Sequence, residues 1–316
     1  MDVIIPVSDA ADHIIDCVAS LARLTPRPDR VIVVDDHSGD RSGPLALAAI
    51  TAAGLAGTLI THAHRRGPGA ARNRGLAAAT APLVWFVDAD DTVDPDALRI
   101  LLDALGEHDF AVCRTSLACE TGEVDGIDEP PPDRAAVTGL EYAGMLLDGR
   151  ARAYAPTKLF RRALLPARPW DEVRRYEDLA AMIALACSAR TVALVAEAPY
   201  RYHRRGGSAS RIFDPASFEL LALPERALSR LRAAGAAPTR AAAAEFTARE
   251  AVFPLAHLAM RAAPDPDAAR AIRAAGRMLG RADLVALAGA GHLRTVAATV
   301  LLKTFPRCYA RILRTR

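Results

Sequence analysis

Four short apolar runs constrain this chain more than any other feature: "VIIPV" (3–7), "RVIVVDD" (30–36), "GTLITHA" (57–63) and "PLVWFVD" (82–88). Each is rich in β-branched residues and too short for a helix. Between them, apolar residues recur at helical spacing over His13–Leu24 (Ile14, Cys17, Val18, Leu21), Leu45–Ala53 and Ala70–Ala79. Uninterrupted apolar strands separated by helices specify an α/β fold, a mostly parallel sheet covered on both faces. In such sheets ligands bind beyond the carboxyl ends of the strands. Two acidic clusters fall at those ends, Asp35-Asp36 after the second run and Asp88–Asp91 after the fourth.

The second cluster belongs to "WFVDADDTVDPDAL" (85–98), which holds Asp88, Asp90, Asp91, Asp94 and Asp96. Carboxylates this close repel one another unless something positive compensates. One reading is a solvated turn with Asp96 opening the next helix, and the other is a divalent cation carrying a phosphate, with Asp94 and Asp96 as turn and helix-start residues. Paired aspartates at a strand end, here Asp35-Asp36 of "VVDDHSGD" (33–40), also open phospho-receiver domains, but there the pair follows the first strand. Here a complete strand–helix unit precedes it, and no lone acceptor aspartate with a Met-Pro turn follows. A sugar nucleotidyltransferase needs a Gly-rich, Arg-containing loop after its first strand, where this chain has "SDAADH".

At 316 residues the chain is long enough for two domains. Hydrophobic residues make up 51% and charged residues 24%, the balance of an ordinary globular protein. A net charge of +3 gives no argument for nucleic acid. Five cysteines without CxxC spacing suit a reducing compartment. Met1 runs directly into the first strand without a secretory leader, and no apolar run approaches the ~20 residues of a membrane helix. The expectation is a cytoplasmic protein. Residues 113–139 read as strand, turn and Pro-rich loop, and "TVALVAEAPYRYH" (191–203) as one strand. From about Pro215 Ala and Arg dominate, with Leu220, Leu221, Leu223, Leu228 and Leu231 spaced for a helical core. The expected division is a catalytic domain over 1–213 and a helical region over 214–316.

Six segments in order, "VIIPVSDAADHI", "VIVVDDHSGD", "GPGAARNRGLAAATAPLVWFVDADDTVDPDAL", "KLFRRALL", "YEDLAAM" and "YRYHRRGGSAS", resemble the inverting family-2 glycosyltransferases of GT-A fold, over about residues 2–212. The resemblance implies a nucleotide-sugar donor, a UDP-sugar by the family pattern, with Mn²⁺ or Mg²⁺ as cofactor. It places Pro6 and Asp36 at the base, where a carboxylate accepting from the ring imide gives selectivity. It places Arg72 on the donor at a Gly-rich helix start. Residues two apart on a helix diverge, so Arg72 and Arg74 cannot both face the sheet. Asp88-Ala89-Asp90 matches the family's DxD element, Asp88 on the ribose and Asp90 on the metal. His203 matches a metal or diphosphate contact. Ser208, on the glycine loop with Arg204, Arg205 and Ser210, matches a group that closes over the diphosphate. The catalytic base falls on Asp178, second of the Glu-Asp pair, with Glu177 next.

Two positions depart from the family pattern. Ser8-Asp9 replaces an aromatic-and-amide pair after Pro6, and Arg65 stands where an asparagine is usual. These departures leave room for the alternative of a degenerate module that binds nucleotide-sugar without turnover. Retention of Asp90 and Asp178 argues against it. The acceptor implied is a glycan, polymer or lipid-linked hydroxyl, as in cell-wall or surface polysaccharide synthesis. The last 25 residues carry six Lys/Arg and no acid, a pattern compatible with peripheral contact to anionic membrane.

Overall fold

The computed structural model describes residues 1–119, 122–204, 212–262 and 265–314. Two compact units are present, Met1–Ala143 with Ala151–Arg205, and Gly144–Arg150 with Gly206–Arg316.

The first unit begins as the apolar runs require: β1 (Asp2–Val7), α1 (Ile14–Ala22), β2 (Arg30–Asp35), α2 (Ser42–Ala52), β3 (Gly57–Thr61), α3 (Pro68–Ala78) and β4 (Leu83–Phe86). It continues through β5 (Thr92–Val93), α4 (Ala97–Leu105), β6 (Phe110–Val112), β7 (Thr115–Ala118), β8 (Val124–Ile127), β9 (Ala136–Thr138) and α5 (Gly139–Asp148), whose residues from Gly144 on are assigned to the second unit. β10 (Lys158–Arg161), α6 (Asp178–Ser188), β11 (Thr191–Leu194) and β12 (Tyr200–His203) complete it. Eight strands form one sheet in the order β3-β2-β1-β4-β10-β6-β11-β9, and four form a second in the order β5-β12-β7-β8. β3, β2, β1 and β4 are parallel, with Ile4 opposite Ile32 and Phe86. β10 then enters antiparallel between β4 and β6, so the large sheet is mixed.

Val3, Ile5, Val31, Val33 and Trp85 are fully buried on one face against Ile14, Val18 and Leu21 of α1. Each such aliphatic side chain contributes about 1.5–3 kcal/mol of burial. Ile4, Ile32, Val34 and Phe86 are also fully buried, which explains strands without polar alternation.

The run 191–203 is two strands in two sheets, not one. β11 pairs with β6 and β9, and β12 pairs with β5 and β7. Pro199 lies in the break and has no N–H for a ladder. This switch carries the chain from the large sheet to the small one beside the second acidic cluster. The 113–139 segment likewise holds three strands, β7, β8 and β9.

The second unit is helical: α7 (Leu223–Ala233), α8 (Arg240–Thr247), α9 (Phe253–Arg261), α10 (Pro266–Arg277), α11 (Arg281–Gly289), α12 (Leu293–Thr304) and α13 (Pro306–Arg314). Leu220, Leu223, Leu228 and Leu231 are buried as their spacing implies, and Leu221 is half-buried. α13 docks on α9 through a 2.8 Å hydrogen bond between the Tyr309 hydroxyl and His257 Nε2. Among the described residues, no helix is long and apolar enough to cross a membrane.

Candidate active site

The site starts from the glycines that open α3. Gly67 has φ +94°, and a Cβ there would lie 2.5 Å from the Val173 carbonyl oxygen. A Cβ on Gly69 would collide with the Asp171 carbonyl. The segment leading into α6 therefore lies directly on the start of α3. Asn73 fastens it there, donating to the Trp170 carbonyl (2.9 Å) and accepting from the Trp170 N–H (3.1 Å). Arg72 consequently points inward and is 3% exposed, while Arg74 stays in solvent.

Buried Arg72 gathers three carboxylates. One Nη donates to Glu177 (2.5 Å) and Asp178 (2.9 Å), the other to Asp88 (2.8 Å). The guanidinium also lies 5.5 Å from the ring centre of Trp170. Desolvating an arginine is expensive and is offset only by excellent geometry. Three negative partners supply it and hold the guanidinium fully charged against its burial. The result is one cluster built from the end of β4, the middle of α3 and the start of α6.

Asp178 is the first residue of α6, and the N-cap residue Glu177 before it makes no side-chain cap hydrogen bond. Burial pushes its carboxyl up to about 7, against the pull of Arg72 and with the help of Glu177 and Asp88. About 23% of the side chain remains exposed, whereas Glu177 is 10% exposed beneath Arg72. Of the two acids, Asp178 is the more accessible to an incoming hydroxyl. The backbone N–H of Ala155 also holds its carboxylate. That segment is anchored by Lys158, which is fully buried and donates to the carbonyls of Arg152 (2.9 Å) and Tyr154 (2.7 Å). Burial lowers the Lys158 amine to about 8.

The five clustered aspartates separate by role. Asp88 pairs with Arg72, Asp94 with Arg201 (2.7 Å) and Asp96 with Arg99 (3.1 Å). Asp91 is 2% exposed and accepts from the Tyr200 hydroxyl (2.6 Å) and the His203 N–H (3.0 Å). Burial and the neighbouring Asp90 and Asp88 charges raise its carboxyl far above the usual range. Asp91 is a staple between the acidic turn and β12. Asp90 is half-buried and lines a cavity of about 420 Å³ with His13, Asp16, Arg201 and His203. His203 Nε2 is hydrogen-bonded to the Thr92 hydroxyl (2.9 Å). Among the described residues, no three His, Cys, Asp or Glu side chains converge as a metal cage.

At the ends of β1, β2 and β3 the arrangement differs. Pro6 is half-buried in β1 opposite Val34. Asp36 is 3% exposed, and its two oxygens accept from His62 Nδ1 (2.7 Å), the Arg66 N–H (2.9 and 3.1 Å) and the Gly67 N–H (2.7 Å). A carboxylate offers about four lone-pair positions, so a base imide would have to displace one of these bonds. Above it, Arg65 donates to Asp9, which also accepts from the Gly39 N–H (2.7 Å). These contacts hold the Asp9 carboxyl below its usual range. Asp9 has φ +51°, and both side chains are 46% exposed. An exposed ion pair returns about 0.2–1 kcal/mol. A non-glycine residue in the left-handed region costs on the order of 1 kcal/mol. Stability does not account for the pair. Ser208, with Arg205 and Ser210, lies outside the described residues.

The model of the family described as "Glycosyl transferase family 2" matches residues 2–165 of the chain. The chain belongs to glycosyl transferase family 2. EpsH of Bacillus subtilis is 25% identical over 232 residues, covering 69% of this chain and 65% of that protein. Succinoglycan biosynthesis protein ExoO of Rhizobium meliloti is 29% identical over 221 residues, covering 66% of this chain and 62% of that protein. The chain thus spans less than two thirds of the length of both relatives. The crystal structure of S. aureus TarS 1–349 in complex with UDP-GlcNAc superimposes with a TM-score of 0.69 at 18% identity, over 97% of this chain and 91% of that one. The likeness establishes the GT-A fold.

Against the family pattern, this glycosyl transferase family 2 chain brings Arg72, Asp88, Glu177 and Asp178 into one cluster. Asp90 and His203 share a neighbouring cavity, and Pro6 and Asp36 lie apart at the other end of the strand termini. Sequence reasoning gave no part to Asn73, Trp170, Tyr200 or Lys158. Each was visible only as an uncommon residue inside a recognised segment or, for Trp170, as one of two tryptophans in the chain.

Proposed function

We propose that this chain transfers a sugar, with inversion, from a UDP-sugar to an acceptor hydroxyl of a polysaccharide, with Asp178 as general base. The observation that carries the reading is the Arg72 cluster, which holds a carboxyl pushed up to about 7 at the strand ends. A base poised near the working pH combines the ionised form with useful proton affinity. In a single displacement the acceptor oxygen bonds to the anomeric carbon while its proton passes to Asp178. The bond from that carbon to the diphosphate breaks, and its electrons leave with the nucleoside diphosphate. Arg72 keeps Asp178 in place, and Asp88 and Glu177 add negative charge that favours its taking the proton.

Asp90 and His203, which line one cavity, would hold Mn²⁺ or Mg²⁺. Hard cations take oxygen ligands and fill their sphere with phosphate and water, so one or two protein ligands suit a cation that arrives on a diphosphate. When bound, such a cation offsets the charge that builds on the leaving group. The UDP bound to the S. aureus TarS structures and the succinoglycan role of ExoO support the donor and acceptor classes proposed.

The second unit supports a peripheral membrane contact. Leu293 and Val300 of α12, Phe305 after it and Ile312 of α13 are 64%, 42%, 62% and 51% exposed, in a segment that also carries Arg294, Arg307 and Arg311. Co-sedimentation with anionic vesicles, compared for the full chain and a chain ending at residue 291, tests it; equal binding rejects it.

A panel of nucleotide-sugars assayed for Mn²⁺-dependent hydrolysis and transfer tests the main reading. Asp90→Ala should lose Mn²⁺-dependent UDP affinity in calorimetry, and unchanged affinity would remove Asp90 from the metal.

A further inference from the structure

Asp9 and Arg65, the two residues that depart from the family pattern, meet each other. Arg65 reaches from the segment after β3 to Asp9 after β1, and Asp9 also takes the Gly39 N–H from the segment after β2. The pair therefore ties together three strand ends, where ligands bind in sheets of this kind. Asp36 below it is buried and fully engaged. Asp9 and Arg65 are both half-exposed, so a planar ring entering here can reach the pair. Asp9 lies in the left-handed region, where its carboxylate takes both Arg65 and the Gly39 N–H. Backbone strain of this kind clusters at ligand sites.

We propose that Asp9 and Arg65 read the base of the donor as one unit. Arg65 donates to a ring carbonyl and Asp9 accepts from the adjacent ring N–H, so the site takes an oxo base such as uracil and discriminates against an amino base such as cytosine. The inference rests on reading the site as a nucleotide-sugar pocket. Uracil and cytosine share one shape but reverse one edge. Uracil presents a carbonyl acceptor beside an N–H donor, whereas cytosine presents an amino donor beside a bare ring nitrogen. A donor and an acceptor held in fixed order fit one edge and oppose like to like on the other. The mismatch leaves polar groups unpaired, which is the strongest basis for rejecting an isostere. The planar guanidinium suits the role because its N–H groups and its stacking face are both fixed by the bond to Asp9.

Calorimetry of the full chain with UDP and with CDP, each with Mg²⁺, gives the test. Wild type should bind UDP at least about tenfold more tightly than CDP. Arg65→Ala should bring the two affinities to within about a factor of two. The exchanged double variant Asp9→Arg/Arg65→Asp keeps an ion pair across the strand ends but reverses donor and acceptor. It should equalise or invert the preference. Equal binding of UDP and CDP by wild type overturns the proposal, as does an unchanged ratio in Arg65→Ala. Failure of wild type to bind any nucleoside diphosphate would instead reject the pocket reading itself, and this inference with it.

Discussion

The chain uses the same chemistry twice, an arginine on carboxylates, at the two ends of one row of strand termini. Arg72 is 3% exposed and holds Asp88, Glu177 and Asp178, whereas Arg65 is 46% exposed and holds Asp9 alone. Burial decides what each can do. Out of water, Arg72 must be matched by several carboxylates, and burial, helped by the neighbouring negative charge, raises Asp178. In water, the Arg65 pair is screened and half-exposed, so a ligand can reach it. One end is built to tune a proton and the other to be read.

The largest expected effect is on the buried end. Arg72→Ala leaves three carboxylates without their common partner and should destabilise the fold by about 3–5 kcal/mol, measured by urea unfolding. A loss under about 1 kcal/mol would mean that the cluster is as weakly coupled as the exposed pair. Next is the pH dependence of transfer. The catalytic form of Asp178 is the carboxylate, and its carboxyl titrates at about 7. kcat/KM should therefore fall about tenfold per pH unit below 7 and level off above it. A flat profile between pH 5 and 8 (about the span that such a shift controls) would contradict the shift. The smallest effect belongs to the exposed end, where Arg65→Ala should change stability by less than about 1 kcal/mol. A larger loss would show that the pair is structural after all.

Legibility in the sequence followed the range of the interactions. The first four strands were legible because each is an apolar run whose burial is settled within a few residues. The break between β11 and β12 was not, because "TVALVAEAPYRYH" is apolar enough throughout to suggest one strand and only tertiary pairing divides it. In the site, Asp178, Asp88 and Arg72 stood out by residue type and segment. Their meeting did not, since Arg72 and Asp178 are 106 positions apart. Asp91 carries no sequence mark separating it from Asp90, and only the Tyr200 hydroxyl 109 positions away makes it a staple. Asp9 and Arg65 were visible as departures, but a departure says nothing of its partner until the loops are brought together.

The central claim is that a buried arginine holds Asp178 as the base, and Asp178→Asn tests it most directly. The variant keeps the shape and leaves Arg72 with Asp88 and Glu177, but it cannot accept the acceptor's proton. The fold favours the protonated carboxyl, so wild type loses stability as pH rises from about 4 towards 7 while Asn does not. The variant should thus be at least as stable as wild type at pH 8, with the gain shrinking as pH falls below 7. The decisive quantity is the transfer rate at saturating donor, measured beside UDP affinity. The account predicts a fall of about 100- to 10,000-fold with donor affinity unchanged. Retention of most of the transfer rate would place the base elsewhere, with Glu177 next in line, and would contradict the account.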